Sequence, residues 1–476
     1  MSEIDVAKIR RVHLIAICGV GMGSLAGMLK ARGLHVTGSD QNVYPPMSDQ
    51  LAALGIEIMS GYSAAHLTPR PDLIVVGNVI SKGNAEGDAA VASGIPYVSM
   101  PDALRLFFFD RRTTIAVCGT HGKTSTTALL AWLTTTAGLD PTYLVGGVMA
   151  NTEASYRVGR GALAIVEGDE YDTAWFDKAP KFVRYRPDIA ILGNVEFDHA
   201  DIYPDFDAVK QAFRQMVENL PPHGLLVAGI DCPTVRELMG HAKCPVVTFA
   251  VDRPADWNAT IETMHPDEMT FRVRASGRER GVWRAHVAGA FNLKNILAVM
   301  APADHLKIPE EKVRTALESF LGVKRRQQVR GEAGGVLVID DFAHHPTAVR
   351  VTLEALRATR PERRLIAVFE PRSNTSRRRI FQDQYANSFG AAEVVVLCEV
   401  FAKGGAALPD KLDVPRLVTQ IQQQNKTAFY AEDYAAVREL LARTMRPGDQ
   451  VVFLSNGGFG DLPRNTLAYL QESGGA

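Results

Sequence analysis

Short apolar runs alternate along this chain with longer stretches of helical periodicity. Val12–Cys18, His35–Asp40, Leu73–Gly77 and Tyr97–Ser99 read as strands, with helices such as Ser24–Arg32 between them. That alternation predicts a parallel, helix-covered sheet. It ends near Phe107–Arg111. A second unit begins at Thr114–Cys118 and continues through Ala162–Glu167, Ile189–Gly193 and Leu225–Gly229. Within it, Trp257–Arg274 alternates apolar and polar residues, which predicts an antiparallel excursion, and His286–Ala298 leads into a helix. A third unit begins at Val336–Asp340 and runs through Arg364–Phe369, Ala392–Leu397 and Gln450–Ser455. The pattern predicts three α/β domains, which suits a length of 476 residues.

The junction after Thr114–Cys118 carries chemistry. Gly119-Thr120-His121-Gly122-Lys123-Thr124-Ser125 joins this strand to a helix through Ala128–Leu133. Glycines there let backbone N–H groups approach phosphates, and the helix N-terminus adds positive potential. In such a loop Lys123 reaches the β- and γ-phosphates and Thr124 faces Mg²⁺. Val117 stands where the general pattern has its first glycine, so the motif is the narrower Gly-Thr-x-Gly-Lys-Thr form. ATP as substrate and Mg²⁺ as cofactor follow from this reading.

Other polar clusters also sit at strand ends, where α/β sheets bind ligands. Glu167-Gly168-Asp169-Glu170 offers carboxylates for Mg²⁺, with a solvated acidic turn as the plain alternative. His199 closes Asn194-Val-Glu-Phe-Asp-His and is open to a metal, phosphate or structural role. Asn292 and Asn295 share one helix face. Arg325-Arg326 offers guanidinium groups for phosphoryl charge. Asp340-Asp341 ends the third unit's first predicted strand, ahead of His344-His345-Pro346. Gly19, Gly21 and Gly23, with Asp40 at the next strand's end, form a weak dinucleotide-like pattern. Ser24 takes its third-glycine position.

Bulk properties narrow the partners. A net charge of −1 argues against a nucleic-acid partner that depends on a strongly basic surface. The five cysteines form no Cys-x-x-Cys pair, and Cys18 and Cys118 lie in apolar runs, as suits a reducing compartment. Met1–Arg11 has no apolar signal core, and no run approaches the ~20 apolar residues of a membrane span. The expectation is a cytoplasmic protein with no membrane partner, monomeric or weakly homo-oligomeric.

Taken in chain order, Gly-Thr-His-Gly-Lys-Thr-Ser, Glu-Gly-Asp-Glu, Asn-Val-Glu-x-Asp-His, Asn292-x-x-Asn295, Arg325-Arg326 and Asp340-Asp-Phe-Ala-His-His-Pro346 resemble the motifs of the Mur ligases. The resemblance spans essentially the whole chain. It implies ATP-dependent amide-forming chemistry in three α/β domains. These are a Rossmann-like N-terminal domain over 1–110 for the UDP substrate, a central P-loop ATPase-like domain over 111–325, and a Rossmann-like C-terminal domain over 326–476 that closes over the site with the peptide. It further implies that Gly19, Gly21 and Gly23 cradle the UDP diphosphate with Asp40 near the uridine. Gly119, Thr120, Gly122, Lys123, Thr124 and Ser125 would hold ATP together with Asn292, Asn295, Arg326 and Asp341. Thr124, Glu167 and His199 would face the metal. Lys123, His199, Arg326 and Asp341 would be the catalytic set. Lys210, the nearest candidate for the carbamylated lysine of several Mur ligases, is too close to His199 in sequence and receives no such role.

Within the family, Asp40–Ser48, Glu370-Pro-Arg-Ser-Asn-Thr-Ser376 and Ser455-Asn-Gly-Gly-Phe-Gly460 resemble the branch that couples the recycled tripeptide L-Ala-γ-D-Glu-meso-diaminopimelate to UDP-N-acetylmuramate. The alanine-adding branch has a histidine near the position of Arg372. A tripeptide carries several carboxylates, and Arg372 is a bidentate partner for one of them. Arg377, Arg378 and Arg379 read equally well as a solvated basic face. Alternatives are the L-alanine-adding ligase, a nicotinamide dehydrogenase that would leave the P-loop unexplained, and a non-catalytic nucleotide-driven regulator.

Overall fold

A computed structural model describes residues 4–43, 47–402 and 410–473. Tyr44, Pro45 and Pro46, inside the expected Asp40–Ser48 feature, lie outside the described residues. The chain divides into two compact units. One comprises Met1–Glu196, Asp207–Asn258 and Asn295–Leu317; the other comprises Phe197–Phe206, Ala259–Lys294 and Glu318–Ala476.

The first unit contains a five-stranded parallel sheet of β1 (Arg11–Ile15), β2 (His35–Asp40), β3 (Glu57–Ser60), β4 (Leu73–Val76) and β5 (Tyr97–Ser99), ordered β3-β2-β1-β4-β5. The order reverses between β1 and β4, the position where open α/β sheets bind ligands. From the carboxyl end of β1 the chain enters the helix Val20–Ala31, capped by Gly19.

A second sheet of the same unit is built on β6 (Thr113–Cys118), β7 (Thr142–Met149), β8 (Ala154–Arg157) and β9 (Leu163–Gly168). After a small hairpin of β10 (Asp172–Ala174) and β11 (Asp177–Pro180) it continues with β12 (Ile189–Leu192), β13 (Leu225–Gly229) and β14 (Val246–Val251). Their order is β14-β13-β12-β6-β9-β7-β8, with β8 antiparallel to β7. Ile-Ala-Ile-Leu in β12 and Leu-Leu-Val-Ala-Gly in β13 are buried throughout, as a parallel strand covered on both faces requires.

The expected antiparallel excursion is longer than the alternation suggested. β15 (Trp257–His265) turns at Pro266-Asp267 into β16 (Glu268–Ala275), which pairs antiparallel with β17 (Arg278–Ala285) in the second unit. That unit also holds a six-stranded sheet of β18 (Gln328–Ala333), β19 (Val336–Asp341), β20 (Arg364–Phe369), β21 (Val394–Cys398), β22 (Thr427–Ala431) and β23 (Asp449–Leu454), ordered β18-β19-β23-β20-β21-β22. Along β19, Leu337 and Ile339 enter one core with Val349, Leu353 and Leu417; Val336 and Val338 enter the other with Val437, Leu441 and Leu462. Period-two burial on both faces is the signature of a helix-covered sheet.

The edge strands β3, β18 and β22 escaped the reading of the sequence: each is only partly buried, and β3 and β18 lack an apolar run. One correction follows. Asp340 and Asp341 end the second strand of their sheet, because the antiparallel edge β18 precedes it.

A buried carboxylate ties the first sheet together. Glu86, 0% exposed, accepts from Ser39 Oγ (2.8 Å) and Ser63 N (3.0 Å), and lies 2.7 Å from His13 Nε2 and 3.0 Å from His66 Nδ1. Burial pushes its pKa up, but the bonds from His13, His66, Ser39 and Ser63 outweigh burial and hold it below the usual glutamate value. A depressed carboxylate pKa contributes stability above the unfolded value of about 4.3 and loses it as pH falls through the folded value. Glu86→Gln should therefore cost about 2 kcal/mol or more near neutral pH. In urea melts the gap from wild type should narrow below about pH 4.

Candidate active site

Strand register assembles the candidate phosphate cradle. β6 is flanked by β9, with Val117 opposite Glu167 and Cys118 opposite Gly168, and by β12, with Cys118 opposite Leu192. The three parallel strands end together, so the segments after Cys118, Gly168 and Leu192 emerge at one sheet edge. Gly119 (φ 130°) and Gly122 (φ 80°) take conformations that favour glycine. A Cβ on Gly119 would also lie 2.8 Å from the Asn194 carbonyl, and one on Gly122 would lie 2.7 Å from Asn295 Oδ1. Asn194 clamps the loop, accepting from His121 N (2.8 Å) and donating through Nδ2 to the His121 carbonyl (3.0 Å). Thr120 Oγ1 accepts from Glu196 N at 2.8 Å.

Lys123 opens the helix Lys123–Thr136, and its Nζ lies 2.7 Å from Glu170 Oε2 and 4.0 Å from Asp169 Oδ1. Burial alone would push the ammonium pKa down, but Glu170, Asp169 and Glu167 outweigh it and hold the pKa well above the usual lysine range. Thr124 Oγ1 donates to Glu167 Oε1 at 3.0 Å, while Glu167 Oε2 accepts from Gly146 N at 2.9 Å. A hydroxyl and a carboxylate placed together are hard oxygen donors of the kind Mg²⁺ takes. The helix is rich in threonine, and Thr127, Thr134 and Thr135 donate back to carbonyls one turn earlier.

Near the carboxyl ends of β1 and β2, Asp40 accepts from Cys18 N and Asn42 N, each at 2.9 Å. The three N-terminal glycines play different parts. A Cβ on Gly19 would meet only the Ala16 carbonyl, at an ordinary 3.9 Å, whereas one on Gly21 would meet Met100 at 2.9 Å and one on Gly23 would meet Met47 at 2.2 Å. Gly19 thus leaves room at the helix start, while Gly21 and Gly23 allow close packing.

In the second unit, Asp341 is buried and accepts from Gln327 N (2.6 Å) and Ala343 N (2.7 Å). Burial raises its pKa against the opposing pull of Arg326. The Arg326 guanidinium lies 4.6 Å from the Phe342 ring centre. Arg325 donates to the Ser455 carbonyl at 2.7 Å and reaches Asp340 at 3.4 Å. His199, with φ 55°, donates its backbone N–H to Asp198 at 2.7 Å and to Thr375 at 3.1 Å. Asn292 turns its amide back to the Ala288 carbonyl at 2.7 Å, and Asn295 belongs to the first unit beside Gly122.

Three consecutive stretches match known domains: the Mur ligase family catalytic domain over 11–111, the Mur ligase middle domain over 117–303, and the Mur ligase glutamate ligase domain over 325–457. The chain belongs to the Mur ligase family. It is similar to the Escherichia coli K12 UDP-N-acetylmuramate–L-alanyl-γ-D-glutamyl-meso-2,6-diaminoheptandioate ligase, with 38% identity over 96% of this chain and 97% of that enzyme. A UDP-N-acetylmuramate–L-alanine ligase from Thermosynechococcus vestitus is 33% identical over 96% of this chain and 95% of its own. Among solved structures, a murein peptide ligase from Psychrobacter arcticus matches with TM-score 0.72 at 33% identity, covering 97% of this chain and 99% of that one. The Thermotoga maritima UDP-N-acetylmuramate-alanine ligase gives 0.78 at 24% identity, over 97% and 99% of the two chains. The higher score belongs to the lower identity, so it speaks for the shared fold and not for the branch.

For a Mur ligase, the dehydrogenase reading of Gly19-x-Gly21 lapses. Arg372 lies beyond β20, with its guanidinium 3.7 Å from the Phe401 ring centre and 3.5 Å from Glu370. Arg377 reaches Asn374 at 3.4 Å and Arg378 reaches Asp410 at 3.5 Å, so both have local partners. Sequence reasoning did not single out Glu170 as the partner of Lys123, Asn194 as the clamp on the loop, or Glu370 beside Arg372. Each follows a buried parallel strand, and that placement was the available signal.

Lys123→Ala should abolish ADP formation. It also removes one side of the buried ion pair with Glu170, which is 2% exposed, and should cost about 3–5 kcal/mol. Adding Glu170→Gln should return most of the thermal stability and none of the ADP formation. Recovery of both would show that Lys123 serves the fold alone.

Proposed function

We propose that this chain is an ATP-dependent ligase of peptidoglycan recycling. It joins L-Ala-γ-D-Glu-meso-diaminopimelate to the lactyl carboxylate of UDP-N-acetylmuramate. The observation that carries the choice of amine is Arg372, held beside Glu370 and Phe401; by the resemblance, the alanine-adding branch would have a histidine nearby. Greater identity to the peptide-adding relatives than to the alanine-adding ones, over matching spans, supports the same choice.

The chemistry has two steps. A lactyl carboxylate oxygen attacks the γ-phosphorus of ATP, ADP leaves, and an acyl phosphate forms. The peptide amine then attacks the acyl carbon, inorganic phosphate leaves, and the nitrogen gives up its proton. The first step brings two anions together, and the buried ammonium of Lys123 offsets part of their repulsion. Gly119, Thr120, Gly122 and Ser125, with the helix N-terminus, are assigned to the ATP phosphates, and Asn295 lies beside that loop. Thr124 and Glu167 would hold Mg²⁺, which when bound supplies further charge neutralisation. Gly19 and Asp40 are assigned to the UDP end, and Arg372 to a peptide carboxylate. Among the described residues no helix is long and apolar enough to cross a membrane. The proposed setting is cytoplasmic, with the protein monomeric or weakly self-associating.

The test is ADP release with Mg-ATP and UDP-N-acetylmuramate, comparing the tripeptide with L-alanine and weighing the product by mass spectrometry. Turnover with the tripeptide and little with alanine is expected. Turnover with alanine alone would make the chain the alanine-adding enzyme and overturn the reading of Arg372.

A further inference from the structure

Two of the segments that distinguish this chain within its family, Glu370–Ser376 and Ser455–Gly460, meet around one guanidinium. Glu370 is 1% exposed and accepts from the hydroxyls of Tyr434 and Ser455 as well as from Arg372. Burial and the Glu370 carboxylate push the Tyr434 phenol far up, so that it remains a donor. Ser455 Oγ in turn accepts from Gly457 N at 2.9 Å, which fixes the turn carrying Gly457.

Gly457 is a glycine with no backbone reason to be one, since its φ lies outside the left-handed region. Its reason is Arg372. A Cβ at 457 would lie 2.1 Å from Arg372 Nε, 2.2 Å from Cδ and 2.6 Å from Cζ. The guanidinium therefore occupies the space a side chain at 457 would need, with Phe401 stacked on it and Glu370 at one corner. Among the described residues Nη2 makes no hydrogen bond, so part of the planar fork is open to a second carboxylate.

We propose that Glu370 and Gly457 are positioning residues that determine specificity: they seat Arg372 so that its open edge takes a carboxylate of the incoming peptide. Glu370 fixes the guanidinium from one side, and Gly457 keeps its place vacant. The inference rests on the peptide-adding reading above, and its substrate class is a peptide amine whose further carboxylates, absent from L-alanine, give Arg372 one to hold.

Steady-state kinetics of Gly457→Ala, Glu370→Gln, Arg372→Ala and the Gly457→Ala/Arg372→Ala double variant test it, each substrate varied in turn and folding checked by thermal melting. Gly457→Ala and Glu370→Gln should raise the tripeptide KM about tenfold or more while leaving KM for ATP and UDP-N-acetylmuramate within about twofold. The double variant should match Arg372→Ala alone, because residues acting through one group are not additive. A merely structural role would move all three KM values or add to the Arg372 effect. If Arg372→Ala raises the tripeptide KM and a folded Gly457→Ala does not, the positioning inference falls and the peptide role of Arg372 stands. If Arg372→Ala leaves that KM unchanged, the peptide assignment itself falls, and the inference with it. Should Glu370→Gln fail to fold, Gly457→Ala decides alone, since its backbone tolerates alanine.

Discussion

The parallel register of β9 and β12 on either side of β6 is the constraint on which the proposed ATP site depends. Three buried strands end at the same level, so a glycine turn, an acidic segment and an asparagine-led segment share one edge. The paired strands are apolar along nearly their whole length, and a one-residue slip would exchange the side chains packed against the helices on each face, in an interior too closely packed to accept the swap. Burial therefore fixes the placement of Glu167 against Thr124 and of Asn194 against His121. The functional groups do not hold the strands in line; the strands hold the groups.

Charge then follows from position. Lys123 is buried among three acids and stays firmly protonated. A buried ammonium with such neighbours is ready for a polyphosphate, because the anion replaces one set of negative partners with another. Asp341 shows the opposite balance, with burial raising its pKa against Arg326 and two backbone donors. Burial and neighbouring charge shift both groups away from their ordinary values, as is common at functional sites.

Legibility in the sequence divided along physical lines. The Gly119–Ser125 loop stood out because its glycines, lysine and threonine are contiguous, and central strands such as β6, β12 and β20 were readable because full burial makes them apolar. Edge strands such as β3 and β18 were missed because solvent on one side removes that signal. Partner identities were also missed. Glu170 and Asn194 find their partners across strands, and Glu370 finds Tyr434 and Ser455 through the order of a sheet whose neighbours are not consecutive. The three N-terminal glycines looked equivalent in the sequence, yet Gly21 and Gly23 answer to Met100 and Met47, while Gly19 stands at an open helix start.

The helix Lys123–Thr136 has a consequence of its own. Six threonines in its sequence disfavour helix by their branching, and several spend their hydroxyls on carbonyls of the preceding turn. Its order comes from the apolar bed that Leu129, Leu130 and Leu133 find beneath them. The N-terminal amides that would grip a nucleotide thus have no arrangement of their own in the unfolded chain. They come into being only when the sheet does, so a nascent or partly folded chain carries the whole phosphate-loop sequence without the means to hold a nucleotide.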